Sequence, residues 1–237
     1  MLLHIETSTT VCSVALSDQG RLVFERVSYE GPSHAALAGV FAEEALQQMK
    51  IQGGTLDAVA VSSGPGSYTG LRIGVSLAKG LCFGYNVPLI ALPTLELLAY
   101  TAIQKHVVGS GALYCAMIDA RRMEVYSALY DAKLETVRPA EAEIITAESY
   151  AAYLDKTEVC FLGNGAAKCR ALISSDNAYF LDDIHPLAAN MIPLAEKLYQ
   201  TGTFVDAAYY EPFYLKEFQA TIAKNKVLGD LPTPHAK

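Results

Sequence analysis

The alternation of apolar and polar positions predicts strands and helices in a regular order along the first half of the chain. Short apolar runs bounded by turn residues predict five strands, over residues 2–5, 11–16, 22–27, 56–62 and 88–91. Longer segments with helical periodicity predict three helices, over residues 34–49, 69–84 and 95–103. A meander of three strands is thus followed by alternating helices and strands.

The second half repeats this order after a pause in the pattern at residues 105–111. Strands are predicted over residues 114–119, 124–130, 135–138 and 159–162. Helices are predicted over residues 147–155 and 187–200 and from Gly165 onward. We therefore expect an α/β protein with an N-terminal unit of residues 1–104 and a C-terminal unit of residues 105–237. Pro232 and Pro234 indicate a loose tail from residue 214 onward.

The composition is that of a folded protein and argues against a nucleic-acid-binding domain. Of the 237 residues, 51% are hydrophobic and 18% are charged, which suits a chain with a sizeable core. The formal net charge is −7, and no run of lysines and arginines occurs. Because neutralisation of phosphates by Lys and Arg supplies most non-specific affinity for nucleic acids, we do not expect this chain to bind one tightly by itself.

Cysteine usage and the apolar segments indicate a cytoplasmic protein. The five cysteines form no Cys-x-x-Cys pair, and their odd number argues against a disulfide framework or a zinc site. Residues 1–6 lack the basic start of a signal peptide. The most apolar region, residues 71–92, is interrupted by Arg72, Lys79 and Pro88, so we expect no membrane span.

Residues 62–72 form a glycine-rich loop between a predicted strand and a predicted helix. The run Ser-Ser-Gly-Pro-Gly-Ser-Tyr-Thr-Gly-Leu-Arg has no Gly-Lys-Ser/Thr of a Walker loop, and Gly66 directly precedes Ser67, which excludes Gly-x-Ser-x-Gly. Glycines let the backbone approach a ligand closely, and a helix N-terminus attracts anions, so Gly64, Gly66 and Ser67 are candidates for anion or nucleotide contact. A tight turn without a ligand explains the spacing equally well.

The helix that follows this loop is apolar on nearly every side. Its polar side chains are only Arg72, Ser76 and Lys79, which indicates that it is buried on more than one side and forms a protein interface. Gly70 and Gly74 lie one turn apart, a spacing that permits close approach of a partner helix, and the preceding helix adds a broad apolar surface. The predicted interface residues are Leu37, Phe41, Ala45, Gly70, Leu71, Gly74, Val75 and Ala78. The alternative is that both helices only enlarge the core.

Several segments together resemble the bacterial TsaB (YeaZ) family. They are the glycine-rich loop, Ile-Glu-Thr-Ser at 5–8, Asp-Ala-Arg-Arg-Met-Glu-Val-Tyr at 119–126, Leu-Gly-Asn-Gly-Ala at 162–166 and Glu-Pro-Phe-Tyr-Leu at 211–215. The resemblance covers nearly the whole chain, and the glycine-rich loop is shared with a catalytic paralogue, TsaD. It implies two ribonuclease-H-like halves of the actin/sugar-kinase/Hsp70 type with mixed sheets. It also implies membership of the complex that attaches threonylcarbamoyl to adenosine 37 of tRNA, next to the anticodon.

The resemblance further implies the partners and ligands of the chain. TsaD is the expected partner, TsaE is the expected ATPase of the complex, and the interface helices are expected to pair with a second copy of the chain as well. tRNA is expected to bind only through the complex. No cofactor is expected on this chain alone, whereas ATP or ADP is a candidate ligand of the assembled complex.

One difference from TsaD implies that the chain is not itself a catalyst. TsaD carries a His-x-x-x-His pair that binds metal, because residues four apart on a helix share a face. Thr94 and Leu98 stand at the matching positions here, and neither replaces an imidazole. The resemblance therefore implies an activating, non-catalytic subunit.

The remaining polar motifs each allow a functional and a purely structural interpretation. Kinases of the same fold hold phosphate at the turn that here contains Thr7 and Ser8, so both are candidates for anion contact. We favour a turn closed by its own hydroxyl groups, since no basic residue lies close in sequence. Arg121 and Arg122 are interpreted as a solvated hairpin corner rather than a substrate clamp, and residues 163–165 as a strand-to-helix turn rather than a nucleotide contact.

Two alternative functions are also considered for this sequence. A metallopeptidase-like or kinase-like enzyme of the same superfamily requires a metal site or a general base, and the scattered histidines supply no local metal motif. A direct tRNA-binding module requires a basic surface, against which the acidic net charge counts.

Overall fold

The computed structural model describes residues 1–31, 33–105, 108–109 and 111–216. The strands of these residues are β1 (Leu2–Glu6), β2 (Cys12–Asp18), β3 (Arg21–Ser28), β4 (Ala58–Gly64), β5 (Leu89–Pro93), β6 (Leu113–Asp119), β7 (Glu124–Tyr130), β8 (Thr136–Ile144), β9 (Val159–Leu162) and β10 (Ala178–Leu181). The helices are α1 (His34–Ile51), α2 (Tyr68–Tyr85), α3 (Thr94–Ile103), α4 (Ala151–Leu154), α5 (Ala166–Cys169), a 3-10 helix (Ala188–Met191) and α6 (Ile192–Gln200). Within the described ranges, no helix is long and apolar enough to cross a membrane.

Two five-stranded mixed sheets share one topology. The first sheet has the order β3-β2-β1-β4-β5, and the second has the order β8-β7-β6-β9-β10. In each sheet the first three strands form an antiparallel meander, and the last two run parallel to the first strand. This repeated order confirms the predicted pair of ribonuclease-H-like halves with mixed sheets.

The helices α1 and α2 cover one face of the first sheet. Side chains of β1 alternate between the two faces, as the pleat requires, so that Leu3 and Ile5 point to this helical side. From the helices the core receives mainly small side chains, including Ala42, Ala45 and Ala78, which allow the helices to lie close to the sheet. In the first half, the predicted elements are all present, with ends shifted by no more than two residues.

Each sheet is also covered by a helix from the other half of the chain. Helix α3 lies between the sheets, where Leu97 packs on the first sheet and Leu98 on the second. The 3-10 helix and α6 return from the second sheet to the first, through Met191 and Ala195. The boundary between residues 104 and 105 stays a prediction, and apolar contacts on both sides of it hold the two halves together.

Residues 203–216, which we call the C-terminal strap, run back over the first sheet and α2. Val205 pairs with the edge strand β5. Lys79 Nζ on α2 donates to the carbonyl oxygens of Ala208 and Tyr210, each at 3.0 Å. The strap includes the start of the predicted loose tail, and residues 217–237 lie outside the described part of the chain.

The second half departs from the sequence prediction at four places. Strand β8 continues well past the predicted residues 135–138, and α4 is a single turn instead of a helix over residues 147–155. The helix predicted from residue 187 becomes α-helical only at Ile192, after a 3-10 turn. Strand β10 was missed because it is a four-residue edge strand whose side chains are mostly half-buried, which leaves no apolar run to detect.

Candidate partner interface and glycine loop

The glycine-rich loop lies against the turn that follows β1. Ser67 N donates to Ser8 O at 2.7 Å, and a Cβ at Gly66 would stand 2.3 Å from the same oxygen. On its other side, Gly64 has a φ of +106°, and a Cβ there would stand 2.6 Å from Phe213 O in the strap. Glycine is required at both positions because backbone approaches so closely. The contacts thus bring together the predicted anion-contact residues Thr7, Ser8, Gly64, Gly66 and Ser67.

Several amides of this loop and of the turn after β1 already have partners within the chain. Ser67 Oγ accepts a hydrogen bond from Gly70 N at 3.2 Å and caps α2. Glu6 Oε1 accepts a hydrogen bond from Ser8 N at 2.6 Å, so that a carboxyl group stands where an anion was expected. Anion contact at this loop stays a prediction, and the structure favours a turn closed by its own side chains.

Buried polar side chains stand at the ends of β1 and β5. Glu6 and Thr94 are fully buried, and Glu6 Oε2 and Thr94 Oγ1 lack a hydrogen-bond partner among the described residues. Burial raises the pKa of Glu6 to about 7, although the hydrogen bond from Ser8 N partly offsets this effect. Because solvent does not reach the carboxyl group of Glu6, this group is not placed to act on a bound substrate as a general base.

Gly70 and Gly74 face the turn of β1 rather than a partner helix. Thr7 Oγ1 donates to Gly70 O at 2.8 Å. A Cβ at Gly70 would stand 2.1 Å from Thr7 O, and one at Gly74 would stand 2.2 Å from Thr7 Oγ1. The expectation that these two glycines leave room for a partner helix is therefore wrong, because Thr7 occupies that space.

The other predicted interface residues divide into buried and half-buried groups. Leu37 and Phe41 on α1 are half-buried and remain accessible to a partner. The rest belong to the core of the single chain, with exposed fractions of 4% or less, and are Ala45, Leu71, Val75 and Ala78. The alternative interpretation, in which these side chains enlarge the core, is correct for this second group.

The outer surface of α1 and α2 carries apolar and small residues that the sequence prediction missed. Val40 is 48% exposed and Phe83 is 91% exposed. A Cβ at Gly39, Gly80 or Gly84 would meet no atom of residues 1–31, 33–105, 108–109 and 111–216 within 4 Å. Because α1 and α2 pack side by side on the same sheet face, these residues form one surface, which we call the outer helical face. A signal in the sequence was the position of Gly80, which lies opposite the buried Ala78 on the helical wheel.

A shallow groove continues this face towards the glycine-rich loop. It has a volume of about 470 Å³ and is lined by Tyr68, Thr69, Arg72, Ile73 and Ser76. The groove and the outer helical face together give α2 an accessible side along its full length.

Thr94 and Leu98, which the sequence resemblance matches to a histidine pair of TsaD, are both enclosed within the protein. Thr94 is fully buried, and Leu98 belongs to the core between α3 and the second sheet. In the part of the chain that the structure describes, no three His, Cys, Asp or Glu side chains come together in a group that suits a metal ion. All five cysteines are buried and free.

Comparison with known proteins identifies the family. A protein-family model described as TsaD, tRNA N6-adenosine threonylcarbamoyltransferase, matches residues 30–224. The tRNA threonylcarbamoyladenosine biosynthesis protein TsaB of Bacillus subtilis is 33% identical over 176 residues, which cover 73% of this chain and 74% of that protein. TsaB of Escherichia coli is 30% identical over 227 residues, which cover 91% of this chain and 94% of that protein. The chain belongs to the TsaB (YeaZ) family.

A solved structure supports the same assignment. YeaZ from Pseudomonas aeruginosa superposes with a TM-score of 0.75 at 28% identity, and the match covers 90% of this chain and 99% of that one. The TsaB fold therefore extends over nearly the whole described chain, including both sheets. The resemblance drawn from the sequence motifs is confirmed.

We expect Gly74→Ala to destabilise this chain. The added methyl group would meet Thr7 Oγ1 at 2.2 Å, and overpacking of this kind costs about 1–3 kcal/mol. Thermal or urea unfolding measures the effect. Gly80→Ala is the matched control, because its methyl group meets nothing within 4 Å, and should hold or gain stability through helix propensity.

The double variant Thr7→Ala/Gly74→Ala separates this contact from a general effect of the substitution. Removal of the threonine hydroxyl opens the space, so the double variant should recover to the stability of Thr7→Ala alone. A Gly74→Ala protein as stable as the parent would contradict the packing of Thr7 on α2.

Glu6 and His4, two buried groups of β1, make opposite contributions to the pH dependence of stability. Burial raises the pKa of Glu6 from 4.5 to about 7 and lowers that of His4 from 6.5 to about 3. The native state keeps a proton on Glu6 that the unfolded state releases, so Glu6 makes stability fall as the pH rises from 4.5 to 7. The unfolded state takes up a proton on His4 that the native state refuses, so His4 makes stability fall as the pH drops below 6.5.

We expect Glu6→Gln to remove one of the two opposing contributions, so that the contribution of His4 to the pH dependence of stability is no longer offset. The two contributions oppose each other between the usual pKa values, where each changes stability by about 1.4 kcal/mol per pH unit. Without Glu6, stability relative to the parent should fall by roughly 2 kcal/mol from pH 6.5 to pH 4.5. Urea unfolding of both proteins across this range measures the difference, and an equal offset at every pH would contradict a titrating Glu6.

Proposed function

We propose that this chain is a non-catalytic, activating subunit of the complex that attaches threonylcarbamoyl to adenosine 37 of tRNA. It binds the catalytic paralogue TsaD through the outer helical face. Membership of the TsaB family supports the pathway, since its relatives are named for tRNA threonylcarbamoyladenosine biosynthesis. The observation that carries the partner role is the combination of open glycines and exposed apolar side chains on α1 and α2.

The residues of the outer helical face lower the stability of the isolated chain. A glycine inside a helix is about 1 kcal/mol less favourable than alanine, and a Cβ at Gly39 or Gly80 would meet no atom within 4 Å. Phe83, at 91% exposure, also loses the stabilisation that burial of an aromatic ring provides. A helix packed against this face would recover both losses, since small residues allow close approach and Phe83 supplies a large apolar anchor.

The non-catalytic role is supported by the residues at the place where TsaD holds its histidine pair. Thr94 is buried without a partner for its hydroxyl group, and Leu98 is part of an apolar core. The one acidic side chain of the turn, Glu6, is fully buried. A metallopeptidase-like or kinase-like reaction requires accessible ligands or an accessible base, and this part of the chain offers neither.

The wider assembly follows from the same proposal. The ATPase TsaE acts on the assembled complex in the cytoplasm, and ATP or ADP binds there rather than to this chain alone. tRNA reaches the chain through the complex. A second copy of the chain competes with TsaD for the outer helical face, since both need the same accessible sides of α1 and α2.

We expect Gly80→Leu to spare the fold and weaken binding to TsaD. The side chain would project into open space in the isolated chain, so its melting temperature should hold or rise. Against a partner helix the same group would overpack the interface at a cost of about 1–3 kcal/mol, which lowers affinity about ten- to a hundredfold. Titration of TsaD with the dilute chain measures the affinity.

Gln200→Leu serves as the matched control for the added side chain. Gln200 is an exposed residue of α6, and that helix packs on the opposite face of the first sheet. The Gln200→Leu variant should bind TsaD with the same affinity as the parent. A stable Gly80→Leu chain that binds TsaD with unchanged affinity would exclude the outer helical face from the interface.

A further inference from the structure

The hairpin corner between β6 and β7 turns through two arginines in an unusual backbone conformation. Arg121 and Arg122 have φ values of 71° and 53°, in the left-handed region that Asn and Gly adopt more readily. Arg121 N donates to Asp119 Oδ1 at 2.8 Å, which holds the turn in place. Each such residue costs about 1–2 kcal/mol. Arginines at both positions therefore indicate that their side chains have a use at this corner.

The acidic side chains beside the corner are both neutralised by lysines. Lys168 forms an ion pair with Asp119, and Lys216 of the strap forms one with Glu124. Lys168 Nζ also donates to the carbonyl oxygen of Arg122 at 2.9 Å, which fixes the lysine beneath the turn. With both acids paired, the corner keeps the charge of its two arginines.

The two guanidinium groups point to solvent without a partner of their own. Arg121 and Arg122 are exposed, and neither side chain has a hydrogen bond or ion pair with another described residue. The corner is thus a small positive surface on a chain whose formal net charge is −7. Such a surface fits an anion with several separated charges, and arginine binds phosphate oxygens in a bidentate manner.

The strap links this corner to the N-terminal end of α2. Two residues before Lys216, Tyr214 packs against Tyr68 of α2, with ring centroids 4.8 Å apart. The exposed guanidinium of Arg72 lies 5.3 Å from the Tyr68 ring centroid, at the start of the groove. Basic groups interleaved with aromatic rings are typical of surfaces that contact single-stranded nucleic acid.

We propose that Arg121 and Arg122 bind backbone phosphates of the tRNA that the assembled complex holds. This inference rests on the proposed function. Two phosphate contacts do not suffice for tight binding by the isolated chain, which is acidic elsewhere. Within the complex they add to the contacts of the other subunits and fix the orientation of the RNA.

The test is the salt dependence of tRNA binding by the complex of TsaD with the full chain. The variant Arg121→Gln/Arg122→Gln should reduce the slope of log affinity against log salt by roughly 2, because each phosphate contact contributes about 0.9. At low salt its affinity should fall about tenfold. Arg121→Lys/Arg122→Lys keeps both charges and should retain the slope.

Arg21→Gln/Lys133→Gln is the matched control for the change in net charge. Arg21 begins β3, and Lys133 lies in the turn at the other end of β7; both are exposed. This control should keep the slope of the parent. An equal loss of slope in both double variants would show a general charge effect and overturn the proposal.

Binding to TsaD is measured first for every variant. A parent chain that does not bind TsaD overturns the proposed function and this inference with it. If the parent binds and the Arg121→Gln/Arg122→Gln variant does not, the corner is a protein contact and the RNA assignment is wrong. If both bind TsaD and the salt slope is unchanged, the proposed function stands and only this inference is overturned.

Discussion

The contact between Thr7 and the two glycines of α2 determines how the rest of the first half is arranged. Thr7 Oγ1 is bonded to Gly70 O, and no Cβ fits at Gly70 or Gly74 beside it. This close approach seats the N-terminal half of α2 on the turn of β1 and orients the whole helix. Leu71, Val75 and Ala78 then lie in the core, and the opposite side of α2 is left to solvent.

The same contact explains why the turn of β1 is a closed structural element in this protein. The glycine-rich loop and α2 both pack against the turn, and the carboxyl group of Glu6 at its start is fully buried. The outer helical face remains accessible, and no contact among the described residues requires glycine at Gly39, Gly80 or Gly84. An arrangement that closes its inner site and keeps an open apolar surface suits a subunit that works by binding another protein.

The sequence predicted the order of elements well because helix and strand periodicities differ clearly in long amphipathic segments. It could not assign the two glycines of α2 to a side, since the one-turn spacing of Gly70 and Gly74 fits a partner helix and a threonine equally well. Alanine-rich faces carry the same ambiguity, which is why Ala45 and Ala78 were assigned to the interface although both are fully buried.

The charged corner of the second sheet shows a different limit of sequence analysis. The motif around Arg121 and Arg122 indicated only a hairpin corner. Its two acids are neutralised by Lys168 and Lys216, which stand 49 and 92 positions away in the chain from their partners. Such long-range pairs leave no local pattern, and the backbone conformation of the arginines is visible only in the structure.

Hydroxyl-radical footprinting of the chain with and without TsaD tests the central claim most directly. Phe83 is 91% exposed and Tyr179, on the edge strand β10 of the second sheet, is 43% exposed. We expect TsaD to protect Phe83 strongly from oxidation and to leave Tyr179 at its original rate. Oxidation of Phe83 at an unchanged rate in a saturated complex would contradict the assignment of the outer helical face to the partner.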